Sequence, residues 1–366
     1  MEQKTTRRKA RAVSAGSLTI GGTAPISVQS MINADPHDFP ACLRAVSALE
    51  AAGCDIVRLT VPDKTAAPVF SYLREAGVRV PLVADIHFDY RLAIESVASG
   101  AHKIRINPGN IGGLDRVRAV AAACRERGVP IRIGVNGGSL DRELLAKYGG
   151  PSAEALAESA LSNARLLEAC DFYDTVLSVK SSSVPTMIEA NRLLSERCDY
   201  PLHLGVTEAG SEALGTLRSA VGIGALLSSG IGDTIRVSLT ADPVREVAAA
   251  REILSSLELT STPRLRVVSC PTCGRTAIDL CALTARFEEA VREEGLDDLP
   301  LTVALMGCAV NGPGEAREAD IGIAGGRGEA LLFLKGEVVS KLPEEDVIPT
   351  LLTRIKDLRE TLKGLS

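Results

Sequence analysis

From about residue 26 to 259 one pattern recurs along the chain: a short apolar, β-branched run, a glycine-rich or polar turn, then an Ala/Leu/Glu/Arg stretch of helical period. The runs are "ISVQSM" (26–31), "DIVRLTV" (55–61), "PLVADIHF" (81–88), "KIRINPG" (103–109), "PIRIGVNGG" (130–138), "DTVLSVKSS" (174–182), "PLHLGVTE" (201–208) and "DTIRVSLT" (233–240). Helical stretches near 40–52, 91–99, 114–127, 153–169, 185–197, 210–228 and 242–258 fall between or after them. Strands alternating with helices predict a parallel sheet. Eight such units predict a TIM (β/α)8 barrel, with a doubly wound open sheet as the alternative. Residues 17–22 are expected to form a hairpin that plugs the barrel bottom.

The pattern changes after "TSTPR" (260–264), which reads as a linker. "RLRVVS" and "LTVALM" predict strands, with a helix over 276–294 between them. Strands at 319–324, 330–334 and 337–341 and a helix near 344–363 follow. The expected organisation is a barrel over 1–259, a linker at 260–264 and a small α+β domain over 265–366.

Successive side chains on a strand point to opposite faces, so residues two apart share one. Arg58 then shares a face with Thr60, Asp85 with His87, Arg105 with Asn107, Arg132 with Asn136, Ser178 with Lys180, and Arg236 with Ser238. His203 stands on the seventh strand, with Glu208 at its end. An isolated arginine at a strand end only reaches for solvent. Four arginines, a lysine and two histidines near C-terminal strand ends mark the end at which barrels build their sites. The guanidinium fork suits phosphate or carboxylate oxygens, so the expected ligand is a small, multiply charged anion such as a phosphate or diphosphate ester. The turns "NPGNIGG" and "NGGSL" can aim backbone N–H groups at it.

Composition narrows the classes. The 366 residues are 45% hydrophobic, enough for two cores, and the net charge is −5. That charge, with 3% aromatics and no tryptophan, argues against a nucleic-acid binder. No apolar run is long enough to cross a membrane, and the basic start "MEQKTTRRKARAV" has no apolar segment after it. Its arginine pair reads as a solvated start, and the expected location is the cytoplasm.

Nine cysteines, an odd count, fit reduced thiols better than a disulfide framework. Cys42, Cys54, Cys124, Cys170, Cys198 and Cys281 sit in helix-rich text and read as core residues. "CPTCGR" (270–275) ends a predicted strand, and Cys308 ends the next, so Cys270, Cys273 and Cys308 can converge. The four histidines all precede this domain, which excludes a Cys2His2 zinc site built within it. Three thiolates with an oxygen donor suit a 4Fe–4S cluster whose fourth iron is held differently; a structural zinc knuckle or a redox dithiol remains open on spacing alone. Glu315, in "MGCAVNGPGEA", is a candidate for that oxygen donor or a surface acid.

"IRINPGNIG", "RIGVNGGSL", "HLGVTEAG", "CPTCGR" and "GCAVNGPGEA" together resemble the 4-hydroxy-3-methylbut-2-enyl diphosphate synthases, iron–sulfur enzymes of the methylerythritol phosphate route to isoprenoids. The resemblance spans nearly the whole chain. It implies reductive ring opening and dehydroxylation of 2-C-methyl-D-erythritol 2,4-cyclodiphosphate. It implies a 4Fe–4S cluster on Cys270, Cys273, Cys308 and Glu315. It also implies diphosphate contacts from Arg58, Arg105, Arg132, Asn136, Lys180, Arg236 and Ser238, with His87 and His203 near the reacting carbons. Glu208 matches the proposed proton donor, a role that asks burial to raise its pKa against the pull of arginines.

The resemblance also implies electrons from a flavodoxin or ferredoxin and a head-to-tail homodimer in which one chain's cluster domain caps its partner's barrel. Two other classes are weighed beside it. One is a non-redox, dihydropteroate-synthase-like barrel enzyme with a structural zinc domain. The other is an iron–sulfur regulatory module that senses oxygen, against which an inward-facing anion site argues.

Overall fold

Alternating β-branched runs build the strands seen in the computed structural model, which describes residues 6–260, 264–308, 314 and 317–363. The chain divides into two compact units, Met1–Thr260 and Ser261–Ser366. Of the expected linker, residues 261–263 lie outside the described residues.

The first unit opens with a hairpin, β1 (Val13–Ala15) and β2 (Leu18–Ile20), paired antiparallel. Eight strands follow: β3 (Ser27–Met31), β4 (Ile56–Thr60), β5 (Leu82–Asp85), β6 (Lys103–Ile106), β7 (Ile131–Asn136), β8 (Thr175–Lys180), β9 (His203–Leu204) and β10 (Thr234–Ile235). Their order is β8-β7-β6-β5-β4-β3-β10-β9, every pair parallel. The two ends meet where Leu177 bridges Leu202 and the Leu177 N–H donates to the Pro201 carbonyl at 2.9 Å. The sheet is therefore a nearly closed (β/α)8 barrel and not an open doubly wound sheet.

Helices α1 (Phe39–Ala51), α2 (Val69–Glu75), α3 (Tyr90–Ala98), α4 (Leu114–Glu126), α5 (Arg142–Tyr148), α6 (Ala153–Glu168), α7 (Val184–Arg197), α8 (Glu212–Leu227) and α9 (Pro243–Ser256) fall between the strands or after the last. Side-chain caps fix several starts: Asp38 accepts from the Ala41 N–H, Ser183 from Thr186 and Asp242 from Val244. Outward strand residues such as Leu59, Ile104, Ile133, Leu177 and Leu204 join the helices in one large core. At the opposite end from the mouth, Val13, Ala15 and Ile20 of the hairpin pack on Ile56, Val83 and Val176. The hairpin is thus the barrel's plug.

Three readings need correction here. The runs at 201–208 and 233–240 shorten to two paired residues each. Beyond Ile235 the Arg236 N–H still donates to the Leu204 carbonyl at 2.9 Å, and by Leu239 the backbone N–H has turned to the Glu246 carboxylate at 3.1 Å. The N-terminal arginines are not a solvated start: Arg7 and Arg8 both reach the buried Asp233, and Arg8 donates to the Cys198 carbonyl at 2.7 Å. Asp233 also accepts from the Leu202 N–H at 2.8 Å, which ties this segment to the strands.

The second unit holds β11 (Arg266–Ser269), α10 (Leu280–Glu293), β12 (Thr302–Met306), β13 (Ile321–Gly326), β14 (Glu329–Leu334), β15 (Glu337–Pro343) and α11 (Val347–Lys363). The sheet runs β11-β12-β13-β14-β15, parallel over its first three strands and antiparallel beyond. Leu283, Phe287 and Val291 of α10 and Leu351 and Ile355 of α11 cover Val303, Leu305, Ile321 and Ile323. The helix expected from 276 starts at Leu280, because the Asp279 carboxylate accepts from the Ala282 N–H. That start leaves Cys281 exposed, against its expected place in the core; the other five scattered cysteines are buried or half-buried. No helix among the described residues is long and apolar enough to cross a membrane.

Candidate functional site

The parallel register lines up charged residues at the C-terminal barrel mouth. Met31 pairs with Arg58, Asp85 with Arg105, Arg105 with Arg132, and Asn136 with Lys180. Each lies on the inward side, because their neighbours in sequence (Val57, Ile104, Ile133, Val179) belong to the sheet–helix core. Two positions need glycine for this packing. A Cβ at Gly134 would stand 2.3 Å from Arg105 Nε, and one at Gly205 would stand 2.7 Å from the Arg236 carbonyl and 2.9 Å from Lys180 Nζ.

Carboxylates anchor only part of this charge. Asp85, 3% exposed, accepts from Arg105 Nη1 at 3.0 Å and lies 3.7 Å from Arg58 Nε. Burial alone would raise its pKa, but Arg58 and then Arg105 outweigh that and hold it at about 2. Glu246 on α9 accepts from Arg236 Nε at 3.2 Å and Nη2 at 3.3 Å, from Ser30 Oγ at 2.9 Å and from the Leu239 N–H.

Six cations, Arg58, Lys103, Arg105, Arg132, Lys180 and Arg236, therefore face two carboxylates. Arg132 is 1% exposed, and its Nε and Nη2 have no hydrogen-bond partner among the described residues. Burial, followed by the charges of Arg58 and Arg105, pushes its pKa well down. Burial and then Arg236 and Arg58 do the same to Lys180. Burial brings Arg58 to about 10, against the opposing pull of Asp85. His203 is wholly buried, and burial with the nearby Arg132 and Lys180 holds its ring neutral. A buried surplus of positive charge is costly unless an anion joins it.

The remaining barrel candidates sit further out. Ser238 is half-buried two residues past Arg236. The Asn136 N–H donates to Ser139 Oγ at 2.9 Å, which shapes the turn leaving β7. His87 and Glu208 are exposed, His87 beside the Phe88 ring and Glu208 in a left-handed turn at φ 53°. The burial expected around Glu208 is absent from the barrel unit itself.

In the second unit, parallel pairing of Ser269 with Leu305 brings Cys270 and the segment after Met306 to the same sheet end. The Gly307 N–H donates to Cys270 Sγ at 3.3 Å, and the Cys273 N–H donates to Thr276 Oγ1 at 3.0 Å. Cys270 and Cys308 are half-buried and Cys273 is exposed. Glu315 lies outside the described residues. Among the described residues no three His, Cys, Asp or Glu side chains close round one point as ligands of a single ion do. A four-iron cluster spreads its ligands over several metal atoms, and a thiol that receives a backbone N–H is the donor such clusters use. Cys270, Cys273 and Cys308 have the donor chemistry that an iron–sulfur group takes.

The family model described as the GcpE TIM-barrel domain matches residues 10–251, and the GcpE protein C-terminal domain matches 266–357. The chain belongs to the GcpE family. A relative from Ruminiclostridium cellulolyticum, named 4-hydroxy-3-methylbut-2-en-1-yl diphosphate synthase (flavodoxin), is 52% identical over 98% of this chain and 100% of its own. One of the same name from Maridesulfovibrio salexigens is 54% identical over 98% of this chain and 99% of its own. Among solved structures, a type I 3-dehydroquinate dehydratase from Clostridium difficile covers 68% of this chain and 98% of its own at 16% identity and a TM-score of 0.51, a likeness in fold alone.

In this GcpE chain, sequence reasoning missed Lys103, Met31 and Glu246. Lys103 stands two residues before Arg105 and so shares its face; it is fully buried, and its amine has no partner among the described residues. Glu246 could have been found on α9, where a lone carboxylate occupies the buried stripe with Val247, Ala250, Ile253 and Leu254.

Proposed function

We propose that this chain catalyses the reductive ring opening and dehydroxylation of 2-C-methyl-D-erythritol 2,4-cyclodiphosphate to 4-hydroxy-3-methylbut-2-enyl diphosphate. The observation that carries the reading is the barrel mouth, where six cations meet two carboxylates and buried Arg132 has donors without a partner among the described residues. Membership of the GcpE family and the names of the full-length relatives point the same way.

Arg58, Arg105, Arg132, Lys180 and Arg236, with Asn136 and Ser238, bind the two phosphates. A cyclic diphosphate brings the negative charge that this surplus lacks, and fixed guanidinium forks orient it without reorganising. Neutral His203 offers a hydrogen bond beneath the ligand without adding charge, and His87 closes over it from the rim. Glu208 supplies a proton as the hydroxyl departs as water.

Cys270, Cys273, Cys308 and Glu315 hold a 4Fe–4S cluster. When bound, that group supplies the two electrons, delivered by a flavodoxin- or ferredoxin-type donor, and a Lewis acid for the departing oxygen. The protein works in the cytoplasm as a head-to-tail homodimer, one chain's cluster domain capping its partner's barrel. The dihydropteroate-synthase-like alternative retains only the barrel architecture in its favour. Metal and acid-labile sulfide analysis of anaerobically purified protein decides between the two. Iron and sulfide together with turnover of the cyclic diphosphate support the redox enzyme, and zinc without sulfide overturns it.

A further inference from the structure

Strand β3 lies between β4 and β10 in the sheet, and its last residue, Met31, is the register partner of Arg58. Its thioether sulfur accepts from Arg58 Nε at 3.1 Å and Nη2 at 2.9 Å, and stands 3.8 Å from Arg236 Nη1. Arg58 and Arg236 are near enough for their charges to oppose each other. An uncharged atom therefore bridges two like charges. On their far sides the same arginines meet carboxylates: Asp85, 3.7 Å from Arg58 Nε and bonded to Arg105, and Glu246, bonded to Arg236.

We propose that Met31 is a positioning residue that sets the separation and tilt of the Arg58 and Arg236 guanidiniums without cancelling their charge. The inference rests on the reading of these arginines as diphosphate ligands. A thioether is a weak, polarisable acceptor on an unbranched, adaptable stem. A carboxylate here would hold both guanidiniums more firmly, but its negative charge would compete with the ligand's. A purely aliphatic side chain would leave N–H groups facing carbon, free to turn away from each other. Arg236 gives Nε and Nη2 to Glu246, so its Nη1 edge is the one that turns toward Met31. Arg58 gives Nε and Nη2 to the sulfur, which aims Nη1 elsewhere.

The test compares Met31→Leu, Met31→Gln and Met31→Glu in the cluster-loaded enzyme. It measures KM and kcat for the cyclic diphosphate, the Kd of inorganic pyrophosphate by calorimetry, and Tm. Met31→Leu should raise both KM and the pyrophosphate Kd about tenfold, the loss of one modest hydrogen-bonded contact, with kcat within about twofold. Met31→Gln, which keeps an uncharged acceptor, should recover most of that affinity. Met31→Glu should bind pyrophosphate roughly a hundredfold more weakly than wild type while melting no lower, since it pairs with both arginines. Equal pyrophosphate affinity in wild type and Met31→Leu overturns the proposal, as does equal weakening by Leu and Gln, which marks a packing role. Failure of the wild-type protein to bind either anion instead removes the diphosphate reading on which the proposal stands.

Discussion

Asp85 receives the Arg105 guanidinium at 3.0 Å and lies 3.7 Å from that of Arg58, so one buried carboxylate at the end of β5 steadies arginines from both neighbouring strands. Its pKa falls from 3.8 to about 2 on folding. A depressed carboxylate contributes stability above its unfolded pKa and loses it as pH drops through the folded value. Denaturant titrations of wild type and Asp85→Asn should therefore differ by roughly 2 kcal/mol at neutral pH and converge between about pH 4 and pH 2. A constant gap down to pH 2 would mean that the charge on Asp85 is not what steadies the pair.

His203 gives a second pH test, in a higher window. Its ring is buried and held neutral, with a pKa well below the ordinary value of 6.5. Below about pH 6.5 the unfolded chain takes up a proton that the folded chain refuses, so stability declines as pH falls. His203→Gln should flatten that part of the wild-type profile between pH 7.5 and pH 5. Imidazole nitrogen shifts should show His203 uncharged at pH 6; a protonated ring there contradicts the account.

Gly134 gives a steric test. A Cβ there would stand 2.3 Å from Arg105 Nε. Gly134→Ala should swing the guanidinium off Asp85 and weaken inorganic pyrophosphate binding about tenfold, while far-ultraviolet circular dichroism stays that of wild type. Unchanged binding would show that Arg105 does not meet the anion from this position.

The proposed sharing of a site between two copies makes a different kind of prediction. A Cys270→Ser chain and a Glu208→Ala chain should each be inactive alone. Mixed and allowed to exchange subunits, they should regain up to about a quarter of wild-type activity, because half of the chains sit in mixed dimers and each such dimer holds one intact site. No recovery under conditions where subunit exchange is demonstrated by mass spectrometry counts against a shared site.

Much of this was legible in the sequence because two periodicities carry it. The recurrence of apolar β-branched runs between helical stretches marked all eight barrel strands, and period two within the strands put Arg58, Arg105 and Arg132 on one face. The strand ends were less legible: β9 and β10 keep only two paired residues each, and beyond β10 the Leu239 N–H turns to the Glu246 carboxylate. The counter-charges escaped because they come from a distance: Glu246 reaches Arg236 from a helix, and Asp233 holds Arg7 across most of the unit. Lys103 was visible by alternation but hidden by its place at the first residue of β6. Cys281 was misread because the buried stripe of α10 runs through Leu280, Leu283, Phe287 and Val291, which leaves position 281 on the solvent side. Helices α2 and α5, seven residues each, are too short for their period to stand out.

The proposed reaction requires that the anion bound at the barrel mouth reach an iron–sulfur group. Electron paramagnetic resonance of the reduced, anaerobic protein, with and without the cyclic diphosphate, tests it most directly. A change in the cluster signal on adding the cyclic diphosphate to wild type, lost in Arg132→Met, is the predicted result. A signal that stays the same while calorimetry shows the ligand bound would contradict it.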